Sequence, residues 1–201
     1  GCGRNDRFRD EQRFGGVDEV AGTVLLESGI ASGRQPTETI SLRSFLSEFL
    51  TDTGATLGAE NEAPFAMRLL HFRRTFVEKL FAIHKKVELL KREGARVGPH
   101  ARHYYDLYRL AGREEVNAML RTDEYAAIKD DYERISTEFF PAHYFCPDGR
   151  SFANSDAIFP PERLSAVLRA DYEAQCAVLC YGDFPNWNEV MARFELLRPL
   201  L

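Results

Sequence analysis

The sequence predicts an α+β fold in which a few strands precede a helical second half. Three observations support this prediction. The first is an apolar run at 24–26, which is typical of a buried strand. The second is the absence of a convincing strand pattern after residue 72. The third is an apolar stripe at helical spacing, formed by Phe76, Leu80, Ile83, Val87 and Leu90. We therefore divide the chain into a sheet-containing lobe at 1–72 and a helical lobe at 73–201.

The first lobe contains four candidate strands and one candidate helix. Ser41 is expected to cap this helix, which ends near Phe49. Its apolar face is expected to comprise Leu42, Phe45, Leu46 and Phe49. Residues 51–63 are expected to form the loop between the lobes. The strands are predicted at 7–14, 21–30, 36–41 and 65–72.

The second lobe is expected to consist of helices. Thr75 and Glu78 match a capping box, which predicts that the main helix begins there. Asn186 is expected to cap the last helix, and Gly182 to end the one before it. The helices after the main one are predicted at 99–111, 113–121, 123–140, 160–181 and 186–197. For the helix at 160–181 we predict a core face of Leu164, Val167, Leu168, Tyr172 and Leu179.

The composition excludes several classes of protein. Apolar residues make up 44% of the 201 residues and aromatic residues 12%, so the chain can bury a core and is not disordered. No apolar run reaches the roughly 18 residues that a membrane span needs. The four cysteines (Cys2, Cys146, Cys176 and Cys180) lack the paired spacing of zinc sites. Cys176 and Cys180 share a helical face, which is typical of buried thiols, and a reducing cytoplasm is expected.

The basic residues are concentrated in one part of an acidic chain. The net charge of -5 argues against a general nucleic-acid-binding protein. Residues 68–109 nevertheless contain eleven Lys and Arg against four acidic residues, and four of the five His residues. A local basic zone of this kind favours phosphate binding, either of a nucleoside triphosphate or of an RNA end. The alternative is a solvated helix with charged flanks.

Lys79 and Asp106 are the candidate reactive pair. Lys79 lies just beside the apolar stripe of the main helix, and Asp106 lies beside apolar residues of the next helix. Their separation of 27 residues prevents them from sharing a helix, but they could face each other across a helical hairpin. The alternative from spacing alone is an ordinary surface salt bridge.

Two motifs resemble those of a known family. R-T-F-V-E-K-L-F-A-I-H at 74–84 and R-H-Y-Y-D-L-Y-R-L at 102–110 resemble the C-terminal motif pair of the AbiEii/AbiGii toxin family of nucleotidyltransferases. The segments at 24–38 and 171–185 are also similar to that family. The family has the polymerase-beta-like nucleotidyltransferase fold and supplies toxins of type IV toxin–antitoxin and abortive-infection systems. The resemblance implies that 1–72 holds the remainder of that sheet.

The resemblance also assigns roles to residues. Lys79 matches the motif lysine that faces the triphosphate, and Asp106 matches the essential acid of the second motif. That acid could position the lysine, the nucleotide or the acceptor. Glu27 resembles a third carboxylate that helps to hold Mg²⁺ on a neighbouring strand. The alternative for Glu27 is an ordinary glutamate at the end of a strand.

Five further residues are candidate nucleotide contacts. Arg73 and Arg74 precede the capping box, where a phosphate near the helix N-terminus would meet them. Arg102 and His103 flank the second motif, and each is alternatively a surface charge. Tyr105 lies in a run of tyrosines that could stack on a base. Tyr104 and Tyr108 share a helical face, which is more typical of core.

One departure from the family pattern is large. The G-G-[ST] loop and the D-x-D strand of the family do not occur in this chain. We therefore expect a C-terminal portion of such a protein, or a degenerate homologue, that is incomplete for catalysis. The resemblance implies transfer of a nucleotide from a nucleoside triphosphate to RNA, with tRNA as the expected acceptor and a cognate antitoxin as partner. The alternatives are a non-catalytic helical binding module that docks a partner, and a transferase acting on a small molecule.

Overall fold

The computed structural model describes residues 3–9, 23–29, 33–56 and 63–201, the first two ranges by their backbone alone. Within these ranges the strands form two antiparallel two-stranded sheets. The strands are β1 (Gly3–Arg9), β2 (Thr23–Gly29), β3 (Thr37–Leu42) and β4 (Phe65–Leu70). β1 pairs with β2, and β3 pairs with β4. The α+β class is confirmed, whereas the nucleotidyltransferase arrangement of the sheet stays a prediction.

The predicted strands agree with the observed ones within a few residues, with one exception. β1 begins at Gly3, earlier than the strand predicted at 7–14, and residues 10–14 lie outside the described ranges. The predicted loop at 51–63 begins later than expected, because the preceding helix continues to Thr53. No strand occurs in the fully described stretch 73–201, as the sequence predicts.

Seven α-helices occur in the described ranges, and six of them follow β4. They are α1 (Phe45–Thr53), α2 (Phe72–Glu93), α3 (Arg102–Ala111), α4 (Glu114–Met119), α5 (Asp123–Phe139), α6 (Glu162–Leu179) and α7 (Trp187–Leu197). A 3-10 turn at Gly98–Ala101 replaces the first turn of the helix predicted at 99–111. Asn186 caps α7 in a full capping box with Glu189, which confirms the predicted cap.

The predicted start of α2 at Thr75 is wrong. The helix begins at Phe72, and the Nδ1 atom of His71 accepts a hydrogen bond from the Arg73 N–H at 3.2 Å. The His71 N–H in turn donates to the Pro36 carbonyl at 2.9 Å. This hydrogen bond holds the backbone of His71 against the residue that precedes β3. His71 therefore takes the capping position between β4 and α2, and Thr75 lies inside the helix.

The predicted cap and buried face of α1 are also wrong. Ser44 caps the helix by accepting a hydrogen bond from the Ser47 N–H at 3.0 Å, while Ser41 belongs to β3. The helix turns Ser47 and Leu50 inward. Its large apolar residues face solvent, with Phe45 90% exposed and Phe49 62% exposed.

The core is built around the apolar stripe of α2. Phe76, Leu80, Ile83 and Val87 are buried as predicted, and Leu90 is partly buried at the edge of the same cluster. α3 adds the buried side chains of Tyr104 and Leu107, and α7 adds Trp187, Val190 and Phe194. The Tyr104 hydroxyl donates to the Ala157 carbonyl at 2.7 Å, so this tyrosine is satisfied within the core.

The core face of α6 differs from the prediction in two residues. Leu168 and Tyr172 are buried as expected, and Cys176 extends their stripe by one turn. Val167 lies to one side of this stripe and Leu179 is the last residue of the helix, and both are exposed. Of the cysteines in the described residues, Cys176 is a buried thiol, Cys180 is half-buried and Cys146 is exposed.

The buried stripe predicts a large difference between two Leu→Ala substitutions. Leu107→Ala removes a fully buried side chain of α3, so the free energy of unfolding should fall by about 3 kcal/mol. Leu196→Ala makes the same change on the exposed face of α7, and its effect should stay within about 0.5 kcal/mol. Urea unfolding followed by circular dichroism measures both. Equal effects would contradict this description of the core.

Candidate functional site

Lys79 and Asp106 meet where α2 packs against α3. The Lys79 Nζ atom lies 2.6 Å from Oδ2 of Asp106, which is the distance of a charge-assisted hydrogen bond. The pair is partly open to solvent, with the Lys79 side chain 24% exposed. The two motif residues that the sequence separates by 27 positions therefore form one charged centre at the surface of the helical lobe.

His103 is the third member of this centre. Its Nδ1 atom lies 3.4 Å from the Lys79 ammonium and 3.6 Å from Oδ2 of Asp106. Burial acts to raise the pKa of Asp106, but the hydrogen bonds and positive charges of His103, in its protonated form, and of Lys79 outweigh it, so the pKa lies below the usual value for aspartate. Asp106 is therefore ionised at neutral pH and pairs with the ammonium.

Basic side chains surround this centre. The His100 ring lies 5.8 Å from that of His103. Burial lowers the pKa of His100, and the charges of Lys86, His103, Arg102 and Lys85 lower it further. Burial also lowers the pKa of Lys85, with Lys86 adding to the effect. We call Lys79, Lys85, Lys86, His100, Arg102 and His103 the basic surface. Its positive charges act on one another, so an anion bound there would relieve their repulsion.

Arg74 is not part of this surface. Its buried guanidinium is 2.7 Å from the carboxylates of Glu78 and Asp131, and it donates to the Gln35 carbonyl at 2.8 Å. A side chain at Gly33 would collide with it. Arg74 therefore joins α2 to α5 and to the segment before β3. The predicted phosphate contact would require these ion pairs to break, so we leave Arg74 out of the proposed site.

Arg73 also faces away from Lys79. Its guanidinium lies 3.3 Å from the Glu124 carboxylate in the first turn of α5. Lys79 is six residues further along α2, on the side where α3 packs. The structure therefore does not bring Arg73 to the charged centre, whereas Arg102 is exposed beside His103 with its charge acting on His100.

The three tyrosines of α3 occupy different environments. Tyr104 is buried and packs edge-to-face on Trp187, with ring centroids 4.9 Å apart. The guanidinium of Arg193 lies over the ring of Tyr108, 4.2 Å from the ring centroid. Tyr105 is half-buried against the core, so it presents at most part of its ring to a ligand. Tyr104 thus has the core role that its helical position favours.

The described residues do not fit a divalent-cation site. Glu27 lies in β2 opposite Asn5, and its side chain is outside the described part of the molecule. Among the residues that are described, no three His, Cys, Asp or Glu side chains come together in a way that could hold a metal ion. We therefore derive no chemical step through a metal.

Sequence reasoning missed two buried polar groups outside the charged centre. Asp171 of α6 is buried, accepts a hydrogen bond from the Gly98 N–H at 3.1 Å and pairs with Arg96, which anchors the connection between α2 and α3. His84 of α2 is hydrogen-bonded to Ser155 through Nδ1 at 2.7 Å, in the interior. These pairings span 71 to 75 residues, and no local sequence signal indicates them.

A comparison with models of protein families found a match. A family model described as nucleotidyl transferase AbiEii toxin, type IV TA system, matches residues 7–193. Neither the curated proteins nor the solved structures gave a match. The class is thus that of nucleotidyltransferases. The chain belongs to the AbiEii nucleotidyl transferase toxin family of type IV toxin–antitoxin systems.

Membership places the chain in a broad functional context. The family is one of nucleotidyltransferases, which generally use a nucleoside triphosphate and a divalent metal, and a type IV system implies a cognate antitoxin. No helix in the described ranges has the length and apolar character needed to cross a bilayer.

The lowered pKa of Asp106 predicts how its contribution to stability changes with pH. A depressed carboxyl pKa stabilises the fold above the unfolded-state pKa, and this contribution is lost as the pH falls through the folded-state pKa. Asp106→Asn should therefore lower the free energy of unfolding at pH 7, by no more than about 1 kcal/mol because the pair is partly exposed. The difference from wild type should shrink below about pH 4.

Urea unfolding at a series of pH values measures this difference. Asp183→Asn is the matched control, because Asp183 is an exposed carboxylate outside the charged centre. The control should follow the wild-type profile. An Asp106→Asn deficit that persists unchanged in acid would mean that the carboxylate charge is not what stabilises the contact.

Proposed function

We propose that this chain carries the Lys79–Asp106 part of a site that transfers a nucleotide from a nucleoside triphosphate to an RNA acceptor, with tRNA as the expected substrate. The observation that supports this proposal best is the Lys79–Asp106 contact of 2.6 Å at the edge of the basic surface. It places an oriented ammonium group where a triphosphate can approach from solvent. Lys79 acts on the phosphates, and Asp106 holds Lys79 in place.

The chemistry required of these residues is electrostatic. In nucleotidyl transfer an acceptor hydroxyl attacks the α-phosphate in line, the bond to the β-phosphate oxygen breaks, and pyrophosphate leaves. Negative charge develops on the phosphoryl and leaving oxygens, and a fixed cation stabilises it. An ammonium group has three N–H donors. Asp106 takes one in the structure, His103 lies within reach of a second, and the third remains for a phosphate oxygen.

The rest of the basic surface suits the RNA acceptor. Lys86 of α2 and Arg102 of α3 extend the positive charge from the charged centre. Phosphodiester groups bind such surfaces through counterion release, so binding weakens as salt rises. The acidic remainder of the chain, which brings the net charge to -5, confines RNA to this one region.

The partners follow from the same proposal. We place the protein in the cytoplasm, where nucleoside triphosphates and RNA are found, with its cognate antitoxin as the protein that restrains it in abortive infection. Mg²⁺ belongs in the assay because the nucleotidyltransferase class implies a divalent ion. No role of Lys79 or Asp106 in this proposal depends on it.

The test is a transfer assay on this chain and on a version extended upstream, with Mg²⁺, each labelled nucleoside triphosphate in turn, and total tRNA; the Lys79 and Lys91 variants are made in the form that labels RNA. Lys79→Met should reduce labelling of RNA by at least about 100-fold, because it removes the cation that stabilises the transferred phosphoryl group. Lys91→Met is the matched control. Lys91 lies on the same helix and is also ion-paired, but its partners are Glu88 and Asp156, away from the charged centre.

The two variants separate chemistry from folding. Both should unfold at urea concentrations close to that of wild type, because each loses only a partly exposed ion pair. Full transfer by a folded Lys79→Met variant would remove Lys79 from the site. An equal loss in Lys91→Met would show that any change of charge on α2 disturbs the protein.

One observation favours the alternative of a partner-docking module. Phe45, Leu46 and Phe49 form an exposed apolar face on α1, and Phe65 and Met67 of β4 are also exposed. If docking is the function, a Phe45→Ser, Phe49→Ser variant should no longer co-purify with a co-expressed cognate antitoxin, while Lys79→Met should still do so. Under the transferase proposal, Lys79→Met instead removes RNA labelling.

A further inference from the structure

The Nδ1 atom of His103 lies close to both a hydrogen-bond donor and a hydrogen-bond acceptor. Nδ1 lies 3.4 Å from the ammonium of Lys79, which can only donate, and 3.6 Å from the carboxylate of Asp106, which can only accept. An unprotonated Nδ1 accepts a hydrogen bond from Lys79 and repels the carboxylate. A protonated Nδ1 donates to Asp106 and repels Lys79. The protonation state of His103 therefore selects the partner.

We propose that His103 is a positioning residue whose neutral form, with Nδ1 unprotonated, orients Lys79 for phosphoryl transfer, and whose protonation removes one of the two acceptors that hold Lys79. This inference rests on the proposed function, and it goes beyond a phosphate contact by His103. In it the imidazole acts through Lys79 and does not touch the nucleotide.

The geometry gives neutral His103 this role because it completes the support of Lys79. His103 and Asp106 lie three residues apart on α3, so one turn of one helix presents both acceptors to the ammonium. Two of the three N–H donors of Lys79 are then fixed. The His103 side chain is only 14% exposed, whereas Lys79 is 24% exposed, so the remaining donor can reach a ligand from solvent.

The other charged groups around His103 are mostly cations. On its own helix these are Arg102 and, as the single anion, Asp106, and α2 contributes Lys79. The 3-10 turn contributes the ring of His100, whose own neighbours include Lys85 and Lys86. α6 contributes the Cys176 thiol, whose pKa is raised to about 12 by burial and neighbouring groups, Asp106 among them, so it stays neutral. Arg193 of α7 contacts Tyr108 instead. Asp106 is thus the anion that can pair with a protonated His103.

Protonation of His103 should lower the rate of catalysis without weakening the binding of the nucleoside triphosphate. It adds positive charge beside the phosphates, so affinity for a triphosphate should not fall. It also turns Nδ1 into a donor, so Lys79 loses one of its two fixed acceptors and shares the other, Asp106, with the imidazolium. Misplacement of a catalytic group by about 1 Å can lower a rate on the order of 100-fold. The expected signature is a kcat that falls in acid while KM for the nucleotide stays level or falls.

The experiment measures kcat and KM for RNA labelling between about pH 8 and about pH 5.5, where histidines titrate. Wild type should lose kcat in acid, by about 10-fold to 100-fold. His103→Asn supplies an amide oxygen in place of Nδ1 and cannot take a proton, so the kcat that it retains should not fall further in acid. His103→Ala supplies no acceptor and should be low throughout. His143→Asn is the matched control and should follow wild type, because His143 is an exposed histidine outside the basic surface.

A second measurement does not depend on transfer. Nitrogen-15 NMR of labelled histidines reports which ring nitrogen carries the proton. At neutral pH His103 should have Nδ1 unprotonated, and Lys79→Met should change its signal. If no variant labels RNA, the proposed function fails, and the NMR result still decides the state of His103. The inference is overturned if Nδ1 carries a proton at neutral pH. It is also overturned if His103→Asn loses as much kcat in acid as wild type does.

Discussion

The packing of α2 against α3 is the constraint on which the site depends. Lys79 and Asp106 are separated by 27 residues, and their contact exists only because two helices are held at a fixed distance. The fully buried side chains of Ile83, Tyr104 and Leu107 set that distance. Asp171 fixes the connection from the other side by accepting the hydrogen bond of the Gly98 N–H. The core packing therefore fixes the distance between Lys79 and Asp106, and the charged side chains carry the proposed chemistry.

Stability alone does not explain the charged centre. A partly exposed ion pair contributes about 0 to 1 kcal/mol, whereas each fully buried leucine or aromatic side chain of the core contributes about 1.5 to 3 kcal/mol. The fold thus gains little from Lys79–Asp106. Burial lowers the pKa of His100 and of Lys85, and the neighbouring cations lower both further, so the positive charges around the pair repel one another. A surface that concentrates unfavourable charge in this way is typical of a site that binds an anion.

The features that depend on local sequence could be predicted. Asn186 caps α7 because its side chain and that of Glu189 satisfy each other's backbone within four residues. The buried stripe of α2 follows from a repeat that any amphipathic helix must have. The pairing of Lys79 with Asp106 was predictable through the family motifs, since spacing alone leaves a surface salt bridge equally open.

The features that depend on distant residues could not be predicted. Thr75 and Glu78 carry a capping box, yet His71 caps the helix because the Pro36 carbonyl holds its backbone. The apolar pattern of α1 gives a helical face but not its partner, so the exposure of Phe45 and Phe49 does not follow from it. Arg74 looks like a phosphate ligand in the sequence, but Asp131, on a different helix, neutralises it.

Arg74 and Lys79 show what separates a structural cation from a candidate catalytic one. Both lie on α2 and both contact carboxylates. Arg74 has three acceptors from three parts of the chain, and its side chain is 2% exposed, so a ligand could reach it only by unfolding that contact. Lys79 has acceptors from α3 alone and keeps a donor toward solvent. The charge of a residue, which the sequence reports, is therefore a weaker guide to function than the number of its donors that the fold leaves accessible.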